Sequence, residues 1–279
     1  MNPGRTKNLF RSSKKGENRI GQFFSSIPSW ALFLLIMVLC IVTAEAGSLI
    51  AQYRLKSGIV ENEAPISTAV AATLGLLAFM LGFTFSLTAE RYSERKTLVL
   101  AHVNAIGTCY LRTSLIPEKQ KLEIRSYCRE YINVLLVTQS VADLEKTLAK
   151  IEEINLLIWQ QTASLIKEEM DSEMRSIFTT SVNDLLNTYS SKKTVGLTFR
   201  IPDAIWVALL LLTATAMFSY GYQNGITGMS HIIQMPLLAV SFSMVVTLIA
   251  AMDSIGWQSF QISYEPLLSI KEMMEKDIP

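Results

Sequence analysis

Side chains able to do covalent or metal chemistry are few and scattered along this chain. Its two histidines, His102 and His231, and three cysteines, Cys40, Cys109 and Cys128, show no CxxC, finger or HExxH spacing. That pattern argues against a metal cluster or a disulfide framework, and the cysteines read as buried thiols in a reducing compartment. No Gly-rich phosphate loop or GxSxG elbow is present, so no cofactor and no catalytic residue is expected. The remaining candidates are charges and rings set in or beside apolar runs. Glu45 is the only formal charge well inside such a run, and intramembrane carboxylates are costly enough to read as functional. It also stands near the outer end of its run, so an interfacial residue and a pathway or packing partner are both open readings, with Thr68 and Thr73 as neutral partners. Phe79 and Phe83 lie one helical turn apart. Rings stacked about a symmetry axis make a constriction that gates by dewetting, although two phenylalanines in a membrane helix are also ordinary lipid-facing or packing residues. Arg91 and Arg95, again one turn apart, would concentrate anions at a pore mouth or anchor the helix to headgroups.

The elements that must hold these residues follow from composition. Half of the 279 residues are hydrophobic and only 18% are charged, against about 25% in an ordinary soluble domain. A bilayer core needs about 20 apolar residues per helix. Four stretches qualify, from about Trp30 to Ile50, Ile66 to Ala89, Ile205 to Tyr222 and Ile232 to Met252. The net charge of +1 averages over unlike segments. Residues 1–28 carry Arg5, Lys7, Arg11, Lys14, Lys15 and Arg19 against Glu17 alone. Segment 91–200 holds 15 of the 25 basic residues, and the loop between the third and fourth spans has none. The positive-inside rule then places both termini and the long segment in the cytoplasm of an inner-membrane protein. The basic leader, the apolar Ala31–Val42 and Ala44-Glu45-Ala46 also mimic a signal peptide. Because the leader is long and apolar residues continue to Ile50, the first span is read as retained. The leader itself, without hydrophobic periodicity, is expected to lie against anionic headgroups. Few aromatics accompany it, so nucleic acid is not an expected partner.

Segment 91–200 has almost no Gly or Pro and repeats apolar residues at steps of three and four. One set is Val99, Val103, Ile106 and Tyr110; another is Ile124, Cys128, Tyr131 and Leu135. Val141, Leu144, Leu148, Ile151, Ile154 and Ile158 follow, then Met174, Ile177, Phe178, Leu185 and Tyr189. The spacing predicts four amphipathic helices in a bundle, with Pro117 breaking the first pair and Ser114 before it as a capping candidate. Nothing between Ala89 and Leu115 stops a helix except Gly107, which costs only about 1 kcal/mol. A single helix from Ile66 to Leu115 is therefore expected, about 75 Å long at 1.5 Å per residue. Within it Ser67, Ala71, Gly75, Ala78, Gly82 and Ser86 form a stripe spanning about 100° of the surface. Such stripes let helices approach closely, and helix packing is their bland reading; a pore-side face is the sharper one. Asp203, after Pro202, reads as a charge complementing a helix N-terminus.

Leu81-Gly82-Phe83, followed by Arg91-Tyr92, resembles the second transmembrane helix of bestrophin anion channels. The runs 104–118 (NAIGTCYLRTSLIPE), 201–206 (IPDAIW), 221–225 (GYQNG) and the closing Asp253, Gly256 and Ser263-Tyr-Glu-Pro-Leu267 resemble bacterial bestrophin-like proteins. That resemblance implies a homo-oligomer of five subunits, small anions as the permeant species and a neck at Gly75, Phe79 and Phe83. At Gly75 the family has a large apolar residue, and Ser254-Ile255 stands where it has a proline. The acidic cluster that binds calcium in animal bestrophins is absent after Asp253. The expectation is an all-α membrane protein, bestrophin-like, with four transmembrane helices and a cytoplasmic helical bundle. Its parts are a basic tail (1–28), two spans (29–90), the bundle (91–200), two further spans (201–253) and a cytoplasmic end (254–279). A passive anion channel is the leading function. A non-conducting scaffold that recruits partners through its bundle is the alternative.

Overall fold

The computed structural model describes residues 19–58, 62–137, 144–197, 200–228, 233–254 and 265–277. Arg5 to Glu17 of the basic leader, Val141, Gly256 and His231 lie outside these residues. All elements described are helical: α1 (Arg19–Ser26), α2 (Ser29–Lys56), α3 (Glu63–Arg112), α4 (Glu118–Val137), α5 (Leu144–Ser164), α6 (Ser172–Leu197), α7 (Asp203–Thr227), α8 (Gln234–Asp253) and α9 (Glu265–Lys276). Four of them, α2, α3, α7 and α8, are long and apolar enough to cross a membrane. The fold is all-α, with four apolar spans and a separate helical bundle.

The chain divides into two compact units, one of Met1–Tyr92 with Arg200–Phe260, the other of Ser93–Phe199 with Gln261–Pro279. In the first, Leu32, Ile36, Cys40 and Ala44 of α2 pack with Leu77 and Leu81 of α3, Trp206 and Met217 of α7, and Val246 and Ile249 of α8. Lipid is as apolar as these side chains, so close packing rather than the hydrophobic effect holds such helices together. Glycine makes the closest approach possible. A Cβ built on Gly221 would stand 1.9 Å from the Ala44 carbonyl oxygen, and one on Gly47 would stand 2.1 Å from that of Phe218. Just before the first span, Arg19–Ser26 form α1, a helix too short for periodicity to announce. Phe24 meets Trp206 edge-on at 4.9 Å, and the Ile20 N–H donates to Asp203 Oδ1 at 3.0 Å. Asp203 thus serves α1 as well as its own helix start. Asp253 is buried at the end of α8, where its Oδ1 accepts from the Ile201 N–H at 3.1 Å.

In the second unit the predicted seams meet. Val103, Ile106 and Tyr110 of α3 pack with Ile124, Cys128 and Tyr131 of α4, Ile151, Ile154 and Ile158 of α5, and Phe178, Leu185 and Tyr189 of α6. Met174 and Ile177 instead are exposed; Ile177 is one residue off the seam that Phe178, Val182 and Leu185 form. Each fully buried Ile or Phe here contributes about 1.5–3 kcal/mol, because this core is withdrawn from water. A 3-10 turn at Thr113–Leu115 and Pro117 end α3, and the Ser114 hydroxyl bonds back to the Leu111 carbonyl rather than forward. α9 closes the unit: Leu267 and Met274 are buried, and Arg125 pairs with Asp277 at 2.8 Å. All three cysteines are buried and free. The hydrogen bond to Cys109, together with burial, pushes the Cys128 thiol up.

His102 is the buried polar centre of this unit. Its Nε2 lies 3.0 Å from the Tyr131 hydroxyl and its Nδ1 3.2 Å from Thr188 Oγ1. Burial, reinforced by the Lys192 charge, pushes the imidazole down to about 3. The ring is therefore neutral and structural at ordinary pH, and the geometry gives it no exposed edge with which to act on a substrate.

Candidate functional site

The membrane-side half of α3 carries most of the residues that the sequence singles out. Its inward face is set by Val70, Leu77, Leu81, Thr84 and Thr88, all buried, which fall within about 40° either side of Val70 at 100° per residue. The two threonines there return their hydroxyls to the helix, Thr84 to the Met80 carbonyl at 2.7 Å and Thr88 to that of Thr84 at 2.6 Å. Neither threonine hydroxyl is left with its proton free for a ligand.

Phe79 and Phe83 point the other way. On the same count they fall at about 180° and 220°, opposite the buried face, and they are 68% and 54% exposed. Gly75 lies beside them at about 140°. Ala71, Ala78, Gly82 and Ser86 line the intervening flank, all exposed, while Ser67 accepts from Gln223 Nε2 at 2.9 Å. A Cβ added to Gly75 or Gly82 would find nothing within 4 Å. Apart from Ser67, the stripe does no packing inside the subunit. That task falls to Gly47 on α2 and to Gly221 and Gly225 on α7, which the sequence signals only through the four-residue spacing of the last two.

The charged candidates separate. Arg91 and Arg95 are half-buried and fall at about 300° and 340°, toward the inward side of α3. Arg91 Nη1 is buried without a hydrogen-bond partner among the described residues. The helix therefore does not bring the two arginines onto the face of the phenylalanines. Glu90 is exposed and falls at about 200°, between the two rings in azimuth. Glu45 is also exposed, and on α2 it lies about 160° from the centre of the face that Leu32, Ile36, Cys40, Ala44 and Ala51 bury. Thr68 and Thr73 donate instead to the Ala64 and Val70 carbonyls of their own helix, each at 3.0 Å. Among the described residues no three His, Cys, Asp or Glu side chains gather where a metal ion could bind.

The Bestrophin-like domain profile matches residues 31–267. The chain belongs to the bestrophin-like family. Solved structures agree at the level of fold. A bacterial bestrophin homolog from Klebsiella pneumoniae, in one of several variants, matches with a TM-score of 0.63 at 16% identity, over 88% of this chain and 96% of that one. Another structure of that homolog gives 0.59 at 17% identity, over 89% and 96%. A structure described only as a membrane protein gives 0.61 at 16% identity, over 88% and 96%. Comparison with curated proteins returns no match. This chain is a membrane protein of that family, with four helices long and apolar enough to cross a bilayer.

Proposed function

We propose that this protein is a passive ion channel of the inner membrane, assembled from several copies around α3, with Phe79 and Phe83 as its apolar neck. The observation that carries the reading is the phase of α3. Its rings face directly away from the subunit's own core, while its small residues leave an open flank on which a neighbouring copy can pack. A symmetric assembly turns such rings toward the axis, where they exclude water until the passage widens. Glu45 supports assembly independently. A carboxylate facing lipid within a span is costly, so a face that carries one is better covered by another subunit. Five copies is the number that bestrophin resemblance implies. On this reading residues 29–90 and 201–253 lie in the bilayer. Both termini, the 91–200 bundle and the 254–279 segment are cytoplasmic, as the basic residues require. Gly75 leaves the neck with two rings per subunit instead of three large side chains, giving a shorter dry stretch.

Flux through proteoliposomes of purified full-length protein tests this. Phe79→Ala and Phe83→Ala should each raise ion flux several-fold over the parent by widening and wetting the neck. If parent and both variants assemble yet none exceeds empty vesicles, the channel reading fails and the non-conducting scaffold takes its place.

A further inference from the structure

We propose that the second unit binds a small soluble phosphate monoester in a cleft between α4 and the start of α5. The cleft has a volume of about 750 Å³, room enough for a small organic anion. Helix α4 lines it with Ser126, Arg129 and Asn133, and α5 lines it with Lys146, Thr147 and Lys150. The charges there are unevenly spent. Lys150 Nζ lies 3.0 Å from Glu130 and 3.2 Å from Glu153, so the one carboxylate lining the cleft is already neutralised. Arg129 has no such partner. One turn earlier, Arg125 pairs with Asp277 at 2.8 Å. Among the described residues the Arg129 guanidinium donates only from Nη2, to the Tyr110 hydroxyl at 3.0 Å, and its buried Nε has no hydrogen-bond partner. Its central carbon stands 5.8 Å over the ring of the fully buried Tyr110, so ring and hydroxyl together hold the fork in place. Lys146 is exposed and makes no ion pair among the described residues.

A held guanidinium with most of its donors unspent suits phosphate, which Arg grips through two parallel N–H···O bonds. Lys146 and Thr147 stand in the first turn of a 21-residue helix, whose dipole adds to the attraction for a dianion. The hydroxyls of Ser126 and Thr147 supply neutral donors for a further oxygen. A planar carboxylate would occupy the fork alone, whereas a tetrahedral dianion reaches donors on both walls. Val134 and Val137, toward the end of α4, give the organic part of the ester an apolar contact. Every residue involved belongs to the bundle unit, so binding here requires nothing of the conduction path.

Calorimetric titration of purified full-length protein in detergent and phosphate-free buffer, with glycerol 3-phosphate as the probe, tests this. Saturable binding is expected, weakening as salt rises, and glycerol should give none. Arg129→Gln should raise the Kd by about tenfold or more, and Arg129→Lys, which keeps the charge without the fork, by several-fold. Lys146→Gln, at an exposed position where folding is not at risk, should also raise it several-fold. Lys119→Gln, an exposed cation of α4 outside the cleft, should leave it unchanged. Glu130→Gln should tighten binding by releasing Lys150 to the ligand. Gel filtration establishes that each variant assembles. Phosphatidic acid in mixed micelles carries the same headgroup on a lipid. Binding of that lipid with none of glycerol 3-phosphate would assign the cleft to the membrane surface and overturn a soluble ligand. A Kd unmoved by both Arg129→Gln and Lys146→Gln, or no saturable binding of either probe, overturns the site itself.

Discussion

Gly221→Ala is expected to destabilise the membrane unit by about 3 kcal/mol or more, while Gly82→Ala leaves the stability of the protomer unchanged. The two substitutions add the same methyl group to helices of the same kind. What differs is what the methyl meets. At Gly221 it would stand 1.9 Å from the Ala44 carbonyl oxygen and 2.6 Å from the carbonyl carbon. At Gly225 it would meet the Ser48 carbonyl oxygen and Ala51 Cβ at 2.6 Å, and at Gly47 the Phe218 carbonyl oxygen at 2.1 Å. Nearly all of these neighbours are backbone, which cannot rotate away, so α2 and α7 would have to part by about an ångström or more. Each pair of heavy atoms pulled off contact forfeits a quarter to a half of its dispersion energy. In lipid no hydrophobic drive returns the helices to each other. Because Gly47, Gly221 and Gly225 serve one seam, their losses should not add. Thermal unfolding in detergent, followed by loss of the monodisperse gel-filtration peak, reads the effect. A Gly221→Ala midpoint equal to the parent's would show that the seam is not this tight. Gly82→Ala has open space within the subunit. Any defect it does cause should appear as lost assembly on dilution or cross-linking, with the protomer itself intact.

How much of this was legible in the sequence depended on the physics each feature expresses. Apolar length marks a span, so the four expected stretches fall on helices Ser29–Lys56, Glu63–Arg112, Asp203–Thr227 and Gln234–Asp253. Ends were less legible. Tyr53, Arg54 and Lys56 are too polar to count as membrane, yet they continue the hydrogen bonding of α2 until Gly58 takes φ +79°. The unbroken α3 was readable because nothing in it stops a helix. The bundle seams were readable because, in water, burial imposes a period. The inward faces of α2 and α7 were not, since helices apolar on every side carry no such period. Only small residues mark where they touch, and the stripe on α3 drew attention while Gly47 and Gly221 made the contact. The phase of Arg91, Arg95 and Glu90 could be counted from sequence. Its meaning required knowing that Val70, Leu77 and Leu81 face inward. α1 is too short for periodicity to declare, and it depends on Phe24 finding Trp206.

Acid should unfold the second unit ahead of its carboxylates, through His102. The imidazole is fully buried between α3, α4 and α6, bonded to Tyr131 and Thr188, and pushed from its ordinary 6.5 down to about 3 by burial and by the Lys192 charge. The unfolded chain therefore binds a proton on this ring at a pH where the folded chain does not. The stability this ring contributes is complete above about pH 6.5 and falls as the pH drops toward 3, by up to about 1.4 kcal/mol per unit. Near pH 4.5 the loss should be about 2–3 kcal/mol. Other groups around the ring do not share this window. Burial raises the Tyr131 and Tyr189 hydroxyls further above their ordinary values. Lys193 holds the exposed Glu152 carboxyl below its ordinary value, so that pair weakens only at lower pH. Thermal unfolding of full-length protein between pH 7 and 4.5, with fluorescence of Trp159 on α5 reporting this unit, should show the midpoint falling steadily. In His102→Gln, which keeps a polar side chain but cannot titrate, the decline should flatten over the same range while the midpoint at pH 7 drops. Tyr131→Phe, which strips the Nε2 partner, should cost about 1–2 kcal/mol at pH 7 and leave most of the acid slope in place. A parent midpoint that holds constant from pH 7 to 4.5 would mean that the ring takes up its proton without unfolding. The packing of Tyr131, Thr188 and Tyr189 around a neutral imidazole would then be wrong.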